Sequence, residues 1–461
     1  MKEKESMNRM GTMPVNRLML SMGIPMILSM MIQALYNIVD SAFVSNMAGI
    51  GEAALNALTL AFPVQMLMVA IGIGTGVGTN ALLAKSLGQG DQKKTSRVAG
   101  NAIFLAGVIY LAFLIFGLAG VRAYVTSQTS NARILEMASD YLSICCVTSF
   151  GIAFFSIFEK VLQATGRSLL STIAQVAGAV TNIILDPIMI YGLLGCPEMG
   201  VKGAAYATVI GQIVSMVLAL AFHLKYNREI TNGLYYLKPS WEVIGKIYTI
   251  GLPAIIAQAL MSVMTYGLNV ILVRIDETVV TAYGLYYKIQ QFILFAAFGL
   301  RDAITPVISF NHGMKSKARV RAGIKYGMIY TCVIMAAGLL VMEIFAGPFS
   351  TVFGLSGETQ ELCVGAMRVI SLSFLFAGIN IASQGIFQAL DSGLESLVIS
   401  VCRQFLFVLP VAWGFSQMAI QSMDNIWMVW CTFLIAEGVS TVIACIFMKQ
   451  VYKKKISVLE G

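Results

Sequence analysis

The chain has 461 residues, of which 57% are hydrophobic and 12% are charged. A typical soluble domain has about 25% charged residues, so this sequence lacks the polar surface that a soluble protein of its length needs. The composition excludes a cytosolic enzyme, a disordered chain and a nucleic-acid-binding protein, and it indicates an integral membrane protein. The net charge of +8 must be interpreted from where the basic residues lie.

Twelve apolar segments follow one another along the chain. Each is long enough to cross a bilayer, which takes about 20 apolar residues in a helix. No connection between them is long enough to hold a soluble domain. We therefore predict an all-α polytopic membrane protein with spans at roughly 18–44, 53–82, 98–119, 138–160, 168–193, 200–223, 243–272, 280–310, 324–346, 363–388, 395–416 and 424–448.

The basic residues predict the orientation of the chain. We count 23 Lys and Arg, Arg403 among them, on the N-terminal side of the membrane, and four on the other side. Because Lys and Arg accumulate in cytoplasmic loops, both termini are expected in the cytoplasm. The charged segment 1–17 has no secretory cleavage site and is expected to remain as a cytoplasmic tail. The positive charge thus indicates topology and not a nucleic-acid partner.

Cysteine and histidine give no sign of a metal or disulfide site. Six of the eight cysteines lie in apolar runs, where they act as small hydrophobic residues. Neither a CxxC pair nor a Cys/His cluster with metal-ligand spacing occurs, and the chain has only two histidines.

The two halves of the sequence resemble each other. Gly23-Ile24-Pro25 recurs as Gly251-Leu252-Pro253, and Leu162-Gln163-Ala164 recurs as Phe387-Gln388-Ala389. Each half has six spans and inserts in the same direction. Such parallel repeats suit alternating access, whereas a channel would be expected to carry a filter-like loop. We predict a tail 1–17, a lobe 18–224, a cytoplasmic linker 225–242, a lobe 243–448 and a basic tail 449–461.

The sequence resembles the multidrug and toxic compound extrusion (MATE) family, in its DinF-like or MepA-like branch. The residues that carry the resemblance are IPMILSMMIQALYNIVDSAFVS in span 1, AKSLGQGDQKK, LQATGRS, NIILDPIMIYG in span 5 and GVKGAAYATVIGQ in span 6. The resemblance implies a two-lobed, twelve-helix, cation-coupled exporter of amphipathic, often cationic, compounds.

Acidic residues inside the apolar spans are the candidates for ion coupling. A charge at the membrane centre costs about 2.5–3.5 kcal/mol on insertion scales, so each one needs a reason. Asn182 and Asp186 are four residues apart and share a helix face. Pro187 frees a backbone carbonyl in the preceding turn. With Asp40, these oxygens could hold a proton or coordinate Na⁺.

The resemblance places the coupling network on Asp40, Asn182, Asp186 and Thr208, with Tyr141 nearby. The alternative is structural, in that Asp40 caps the first helix and Asp186 hydrogen-bonds within its own lobe. Coupling would follow if neutralisation of the carboxylates bends the first helix at Pro25, a proline kink site.

The remaining polar residues of the spans are candidates for substrate binding. Gln33 and Tyr36 match pocket positions of the resembled branch, or else they form inter-helix hydrogen bonds. Glu159 and Lys160 snorkel to the inner surface or line a cavity. Further candidates are the pair Arg301 and Asp302, either a structural lock or a substrate contact, and Glu437, either a counter-charge for a cationic drug or a partner of Lys288 or Arg301.

We expect a secondary antiporter, not an enzyme, because no convergent His, Asp or Cys cluster is present. The alternative is an exporter or flippase of one endogenous metabolite or lipid-linked substrate. The glycine run Gly72, Gly74, Gly76 and Gly78 lies within a helix and indicates close helix packing, not a nucleotide site. No cofactor is expected beyond H⁺ or Na⁺. The expected partners are small amphipathic cations and the lipids of a bacterial plasma membrane, with the protein as a monomer.

Overall fold

A computed structural model describes residues 9–47, 49, 51–352 and 355–459 of the chain. Residues 1–8 of the predicted tail 1–17, with Lys2 and Lys4, lie outside the described residues. In the described part, all regular secondary structure is helical.

We number the main helices in chain order: α1 Val15–Ser45, α2 Gly51–Gly88, α3 Gln92–Gln128, α4 Ala132–Val147, α5 Phe150–Ala164, α6 Ser168–Tyr191, α7 Val201–Tyr226, α8 Leu234–Leu237, α9 Trp241–Leu272, α10 Glu277–Gly313, α11 Lys317–Val352, α12 Gly357–Ser371, α13 Phe374–Ala389, α14 Gly393–Gln421 and α15 Ile426–Val451.

The described residues contain ten helices that are long and apolar enough to cross a membrane, and two bent pairs bring the total to twelve. The pair α4–α5 bends by 47° and the pair α12–α13 by 53°. Both pairs form the fourth span of their half, so the repeat seen in the sequence recurs in the shape of the helices. The predicted all-α fold with twelve spans is confirmed.

Several helices extend beyond the apolar segments that predict them. α3 begins at Gln92, where the Oδ1 of Asp91 accepts the backbone N–H of Lys94 at 2.9 Å. This N-cap satisfies one of the free donors of the first turn, so the helix starts among charged residues. At the other end of the chain, α15 continues into a π-helical turn, Tyr452–Ile456.

The chain forms two compact units. Unit 1 comprises Met1–Thr12 and Leu28–Ile255, and unit 2 comprises Met13–Ile27 and Ile256–Gly461. The division therefore falls within α1, two residues after Pro25, and within α9, two residues after Pro253. Each unit has its own buried core, around Tyr141 in unit 1 and around Trp430 in unit 2.

The predicted linker 225–242 packs against α3 of unit 1. The Oδ1 of Asn101 in α3 accepts the backbone N–H of Ser240 at 2.7 Å, and a Cβ at Gly100 would lie 2.2 Å from the carbonyl oxygen of Tyr236. Glycine is therefore needed where the segment around α8 crosses α3.

Large apolar side chains lie exposed along the helices. Ile115 is 65% exposed, Leu118 73% and Ile344 66%. Exposed apolar surface on this scale marks contact with lipid, since a soluble protein would bury it.

Candidate functional site

Glycines bring α6 and α7 into backbone contact. A Cβ at Gly178 would lie 2.5 Å from the carbonyl oxygen of Gly211, and a Cβ at Gly203 would lie 2.4 Å from that of Met189. Small residues at such crossings let two membrane helices approach closely. The contact places the polar side chains of the two helices within hydrogen-bonding distance.

Four of the predicted coupling residues come together in unit 1. Asp40 of α1 and Asp186 of α6 place their carboxyl groups side by side. The Nδ2 of Asn182 donates to the Oδ1 of Asp186 at 3.3 Å and to the Oγ1 of Thr208 at 3.4 Å. The side chain of Asp186 is fully buried. We call Asp40, Asn182, Asp186 and Thr208 the carboxyl cluster.

The carboxyl cluster has unused acceptors. Oδ1 of Asp40, Oδ2 of Asp186 and Oδ1 of Asn182 are buried and have no hydrogen-bond partner among the described residues. Two ionised carboxylates side by side in a site of low dielectric constant repel each other, so this arrangement favours one proton on the pair. The remaining oxygens could accept a further proton or coordinate a small cation.

Tyr141 lies near this cluster but hydrogen-bonds elsewhere. It is buried in α4, and its hydroxyl accepts a hydrogen bond from the Nε2 of Gln65 at 3.1 Å. Gln65 of α2 also approaches the Sγ of Cys145 at 3.8 Å. Sequence reasoning did not single out Gln65, although an amide within an apolar span is a signal that could have found it.

Gln33 takes part in a chain of hydrogen bonds between α1 and α6. Its Oε1 accepts from the Nε2 of Gln175 at 3.1 Å, and the Oε1 of Gln175 accepts from the Oγ of Ser29. Tyr36 follows Gln33 by one turn and precedes Asp40 by one turn on α1. The chain of bonds fixes α1 against α6 next to the carboxyl cluster.

Lys160 does not snorkel to the membrane surface, which corrects one of the two interpretations offered for it. The side chain is only 1% exposed, and a Cβ at Gly76 of α2 would lie 2.7 Å from its Cγ. The glycines of α2 leave room for the lysine stem to pack against the helix. Its neighbour Glu159 accepts a hydrogen bond from the Nε2 of Gln163 at 3.0 Å.

The same glycine run serves two helices of unit 1. A Cβ at Gly72 would lie 3.0 Å from the Oγ of Ser156 in α5, and a Cβ at Gly78 would lie 2.0 Å from the carbonyl oxygen of Ile247 in α9. The close helix packing that was predicted for these glycines is therefore confirmed.

Arg301 and Asp302 of α10 form an ion pair with each other. The Nη2 of Arg301 lies 3.0 Å from the Oδ1 of Asp302, whose side chain is 4% exposed. The guanidinium also lies 4.9 Å from the ring centroid of Phe298. These contacts agree with a structural lock, and a role in substrate binding stays a prediction.

Glu437 is paired with neither Lys288 nor Arg301, so the predicted partners were wrong. Arg403 of α14 reaches its carboxylate, with Nη2 2.7 Å from Oε1 and Nε 2.8 Å from Oε2. Arg403 is buried at 6% exposure in a π-helical turn, whereas Lys288 is exposed. Arg403 is thus no loop residue, and it does not belong in the count of loop charges, which becomes 22 against four.

The position of Arg403 within predicted span 11 was the signal for this pair, because a buried charge in an apolar segment needs a counter-charge. Asn380 of α13 completes the set, with its Nδ2 2.7 Å from the Oε2 of Glu437. No sequence spacing connects these three helices, so the partners became visible only in the fold.

Known proteins match this chain over nearly its whole length. A multidrug export protein MepA of Staphylococcus saprophyticus is 25% identical over 396 residues, which are 85% of this chain and 85% of the relative. A MepA of Staphylococcus aureus is 24% identical over 94% of each chain. A solved structure of a multidrug resistance MATE family transporter of the MOP superfamily, in an outward-facing conformation, has a TM-score of 0.88 at 24% identity, with 96% of this chain and 97% of that chain covered.

The family profile named MatE matches twice, at residues 25–188 and 253–413, which together make up more than half of the chain. The two matched segments begin at Pro25 and Pro253, the prolines that also mark the start of the sequence repeat. The matched segments contain Asp40, Asn182 and Asp186 in the first half and Arg403 in the second. The chain belongs to the MatE family.

Proposed function

We propose that this protein is a secondary active exporter that expels amphipathic, cationic drugs in exchange for H⁺ or Na⁺. The observation that carries the proposal is the carboxyl cluster, in which acidic side chains from α1 and α6 lie side by side within apolar spans and an amide joins Asp186 to Thr208. Membership of the MatE family and relatives named as multidrug export proteins support the same function. The proposed location is a bacterial plasma membrane, with both termini in the cytoplasm and the protein as a monomer.

The chemistry of the cluster supports the proton as the coupling ion. With one proton shared by Asp40 and Asp186, the pair carries a single negative charge. A second proton would neutralise it, and release of a proton would leave two like charges in a site of low dielectric constant. Each step changes the charge beside α1, so proton binding and the arrangement of α1 become linked. Na⁺ could take the place of the proton among the unused oxygens.

Coupling requires that protonation and drug binding favour different states of the protein. A cationic drug is attracted by the ionised cluster and loses that attraction when the cluster is neutral. The drug is therefore released as protons bind, which is the order that an antiporter needs. Gln33 and Tyr36, one to two turns before Asp40, are the proposed drug contacts on α1.

The experiment is ethidium transport in everted membrane vesicles. Wild type is compared with Asp40→Asn and Asp186→Asn under an imposed pH gradient and, separately, under a Na⁺ gradient. We expect both variants to lose gradient-driven transport, and the effective gradient identifies the ion. Asp276→Asn is the matched control, because this carboxylate caps α10 outside the spans and accepts the N–H of Thr278 at 2.8 Å.

Normal ethidium transport in both variants would refute coupling through this cluster. A wild type that transports no ethidium under either gradient would refute drug export and favour an exporter of one endogenous metabolite or lipid-linked substrate.

We further propose that α1 bends at Pro25 during transport. Proline lacks the N–H that would bond to the carbonyl of Ser21, so the helix is weakened there. Two residues later the helix passes from unit 2 to unit 1. Pro25→Ala should therefore slow ethidium transport while ethidium still binds, as measured by fluorescence polarisation of the purified protein. Full transport by Pro25→Ala would disprove the hinge.

A further inference from the structure

The buried ion pair of unit 2 is saturated with hydrogen bonds. Oε1 of Glu437 accepts from the Nε and Nη2 of Arg403, at 3.0 and 2.7 Å. Oε2 accepts from the Nε of Arg403 at 2.8 Å and from the Nδ2 of Asn380 at 2.7 Å. The two side chains are 6% and 13% exposed. The carboxylate thus has its charge neutralised and its acceptors occupied by groups of the protein itself.

The same helices of the repeat carry the polar clusters of both units. In unit 1 the fifth and sixth spans, α6 and α7, supply Asp186 and Thr208. In unit 2 the fifth and sixth spans, α14 and α15, supply Arg403 and Glu437. In unit 1 these helices carry carboxyl, amide and hydroxyl groups, some of whose oxygens have no hydrogen-bond partner among the described residues. In unit 2 the corresponding helices carry an acid that is paired with an arginine of the same unit.

A small cavity lies beside the ion pair within unit 2. Its volume is about 40 Å³, which is room for roughly three water molecules. Arg403 and Glu437 line it together with the amides Gln290, Gln291 and Gln404. The Oε1 of Gln404 is buried and has no hydrogen-bond partner among the described residues. Oxygens of carboxylate, amides and water are the ligands that a small hard cation takes.

We propose that the oxygens of Glu437 and of the amides beside it form a latent site for a monovalent cation in unit 2, and that Arg403 is a resident cation which permanently fills it. The guanidinium forms an ion pair with the carboxylate of Glu437, so no exchangeable proton or Na⁺ binds to that carboxylate. Unit 2 then goes through the transport cycle without an ion of its own, and all ion exchange takes place in unit 1. This last consequence rests on the proposed function of the carboxyl cluster, whereas the latent cation site does not.

The latent site is tested by titrating purified full-length protein with Na⁺ and measuring its thermal stability at each concentration. Choline replaces Na⁺ so that the ionic strength stays constant. The background carries Asp40→Asn and Asp186→Asn, so that unit 1 contributes no signal. Adding Arg403→Gln should create a saturable stabilisation by Na⁺, and adding Glu437→Gln as well should abolish it. Arg403→Lys is the conservative control and should create no such response.

Three results would overturn the proposal. The first is a Na⁺ response of Arg403→Gln equal to that of the background. The second is a response that survives Glu437→Gln. The third is a Na⁺ response that the background itself has and that Glu437→Gln removes.

A second measurement covers the case in which Arg403→Gln alone does not fold, since it leaves a buried carboxylate without its counter-charge. The double variant Arg403→Gln, Glu437→Gln leaves no charge in the pair. In an otherwise wild-type chain it should exchange the same number of ions per ethidium as wild type. A lower ratio would overturn the proposal. Loss of coupling in Asp40→Asn but an unchanged ratio here supports both proposals. Unchanged coupling in Asp40→Asn refutes the proposed function and the consequence that rests on it, but not the latent cation site.

Discussion

Thr208 closes the carboxyl cluster from the side of α7. Its hydroxyl accepts a hydrogen bond from Asn182, which also donates to Asp186, so the amide holds the acid and the hydroxyl together. A buried donor that loses its acceptor costs about 1–3 kcal/mol. The amide would then be free to turn away from Asp186.

Thr208→Val removes this acceptor without changing the shape of the side chain. We expect a marked loss of gradient-driven ethidium transport, because the position of Asp186 is no longer fixed from α7. Thr208→Ser keeps the hydroxyl and should transport like wild type. Equal rates for the two variants in everted vesicles would show that Thr208 has no part in the cluster.

Single residues could be predicted as candidates from their chemistry, but their partners could not. Asp40, Asp186 and Glu437 are noticeable in the sequence because an acid inside an apolar span is costly. Asn182 and Asp186 share a face through their spacing of four. The contact from α14 to α15 that joins Arg403 to Glu437 depends on the rotation of both helices, and no local spacing encodes it.

The helix α2 acts as a packing surface because of its glycines. Gly72 and Gly76 face α5, while Gly74 and Gly78 face the N-terminal half of α9, all within unit 1. The backbone of a neighbouring helix fits only where the side chain is a hydrogen atom. At Gly78 a Cβ would lie 2.0 Å from a backbone oxygen, which cannot move aside as a flexible side chain can.

Gly78→Ala should therefore destabilise the protein, by on the order of 1–3 kcal/mol for an overpacked contact. The matched control is Gly245→Ala in α9, which is exposed and has no atom within 4 Å of the added methyl group. There alanine should stabilise by up to about 1 kcal/mol through helix propensity. Thermal unfolding in detergent measures both. A Gly78→Ala variant as stable as Gly245→Ala would contradict the predicted contact.

Helices could be predicted from hydropathy, whereas their bends could not. The twelve apolar segments correspond to the observed spans. The breaks at Thr148–Ser149 and at Leu372–Ser373 contain neither proline nor glycine, but each has a hydroxyl that donates to a carbonyl of the preceding turn, Thr148 to Ile144 and Ser373 to Ile370. Hydroxyls form the same kind of bond within unbroken helices, as at Thr79 and Ser86, so a serine or threonine in a span does not by itself predict a bend.

The whole chain has a proposed orientation that its own cysteines can test. Cys196 is a free, exposed cysteine in the loop between α6 and α7, which the proposal puts outside the cell. A membrane-impermeant maleimide should label it on intact cells, and Cys196→Ser should remove that labelling. Cys445 is also exposed but lies in the apolar run of α15, so lipid should protect it.

The opposite side is tested by a cysteine near the C-terminus. Lys453→Cys in the Cys196→Ser chain should be labelled only after the cells are opened. Labelling of this variant on intact cells would reverse the proposed orientation.

At the scale of the molecule, the duplication could be predicted and the division into units only in part. Repeated Gly-x-Pro motifs marked the start of each half. The sequence gives no reason to divide α1 after Ile27 or α9 after Ile255, because helical periodicity runs through both points. Which unit a helical segment belongs to is decided by contacts far apart in the chain.

The exchange of first-helix segments between the units has a consequence for synthesis. Residues 13–27 are made before the first unit's spans but belong to unit 2, and residues 241–255 are made after the first six spans but belong to unit 1. Neither unit can therefore be finished while only one half of the chain has left the ribosome. Residues 13–27 therefore enter the membrane before the rest of unit 2, against which they pack, has been synthesised. If the gene were cut at the linker, each fragment would lack a piece that only the other fragment carries, and the two would have to meet in the bilayer to fold.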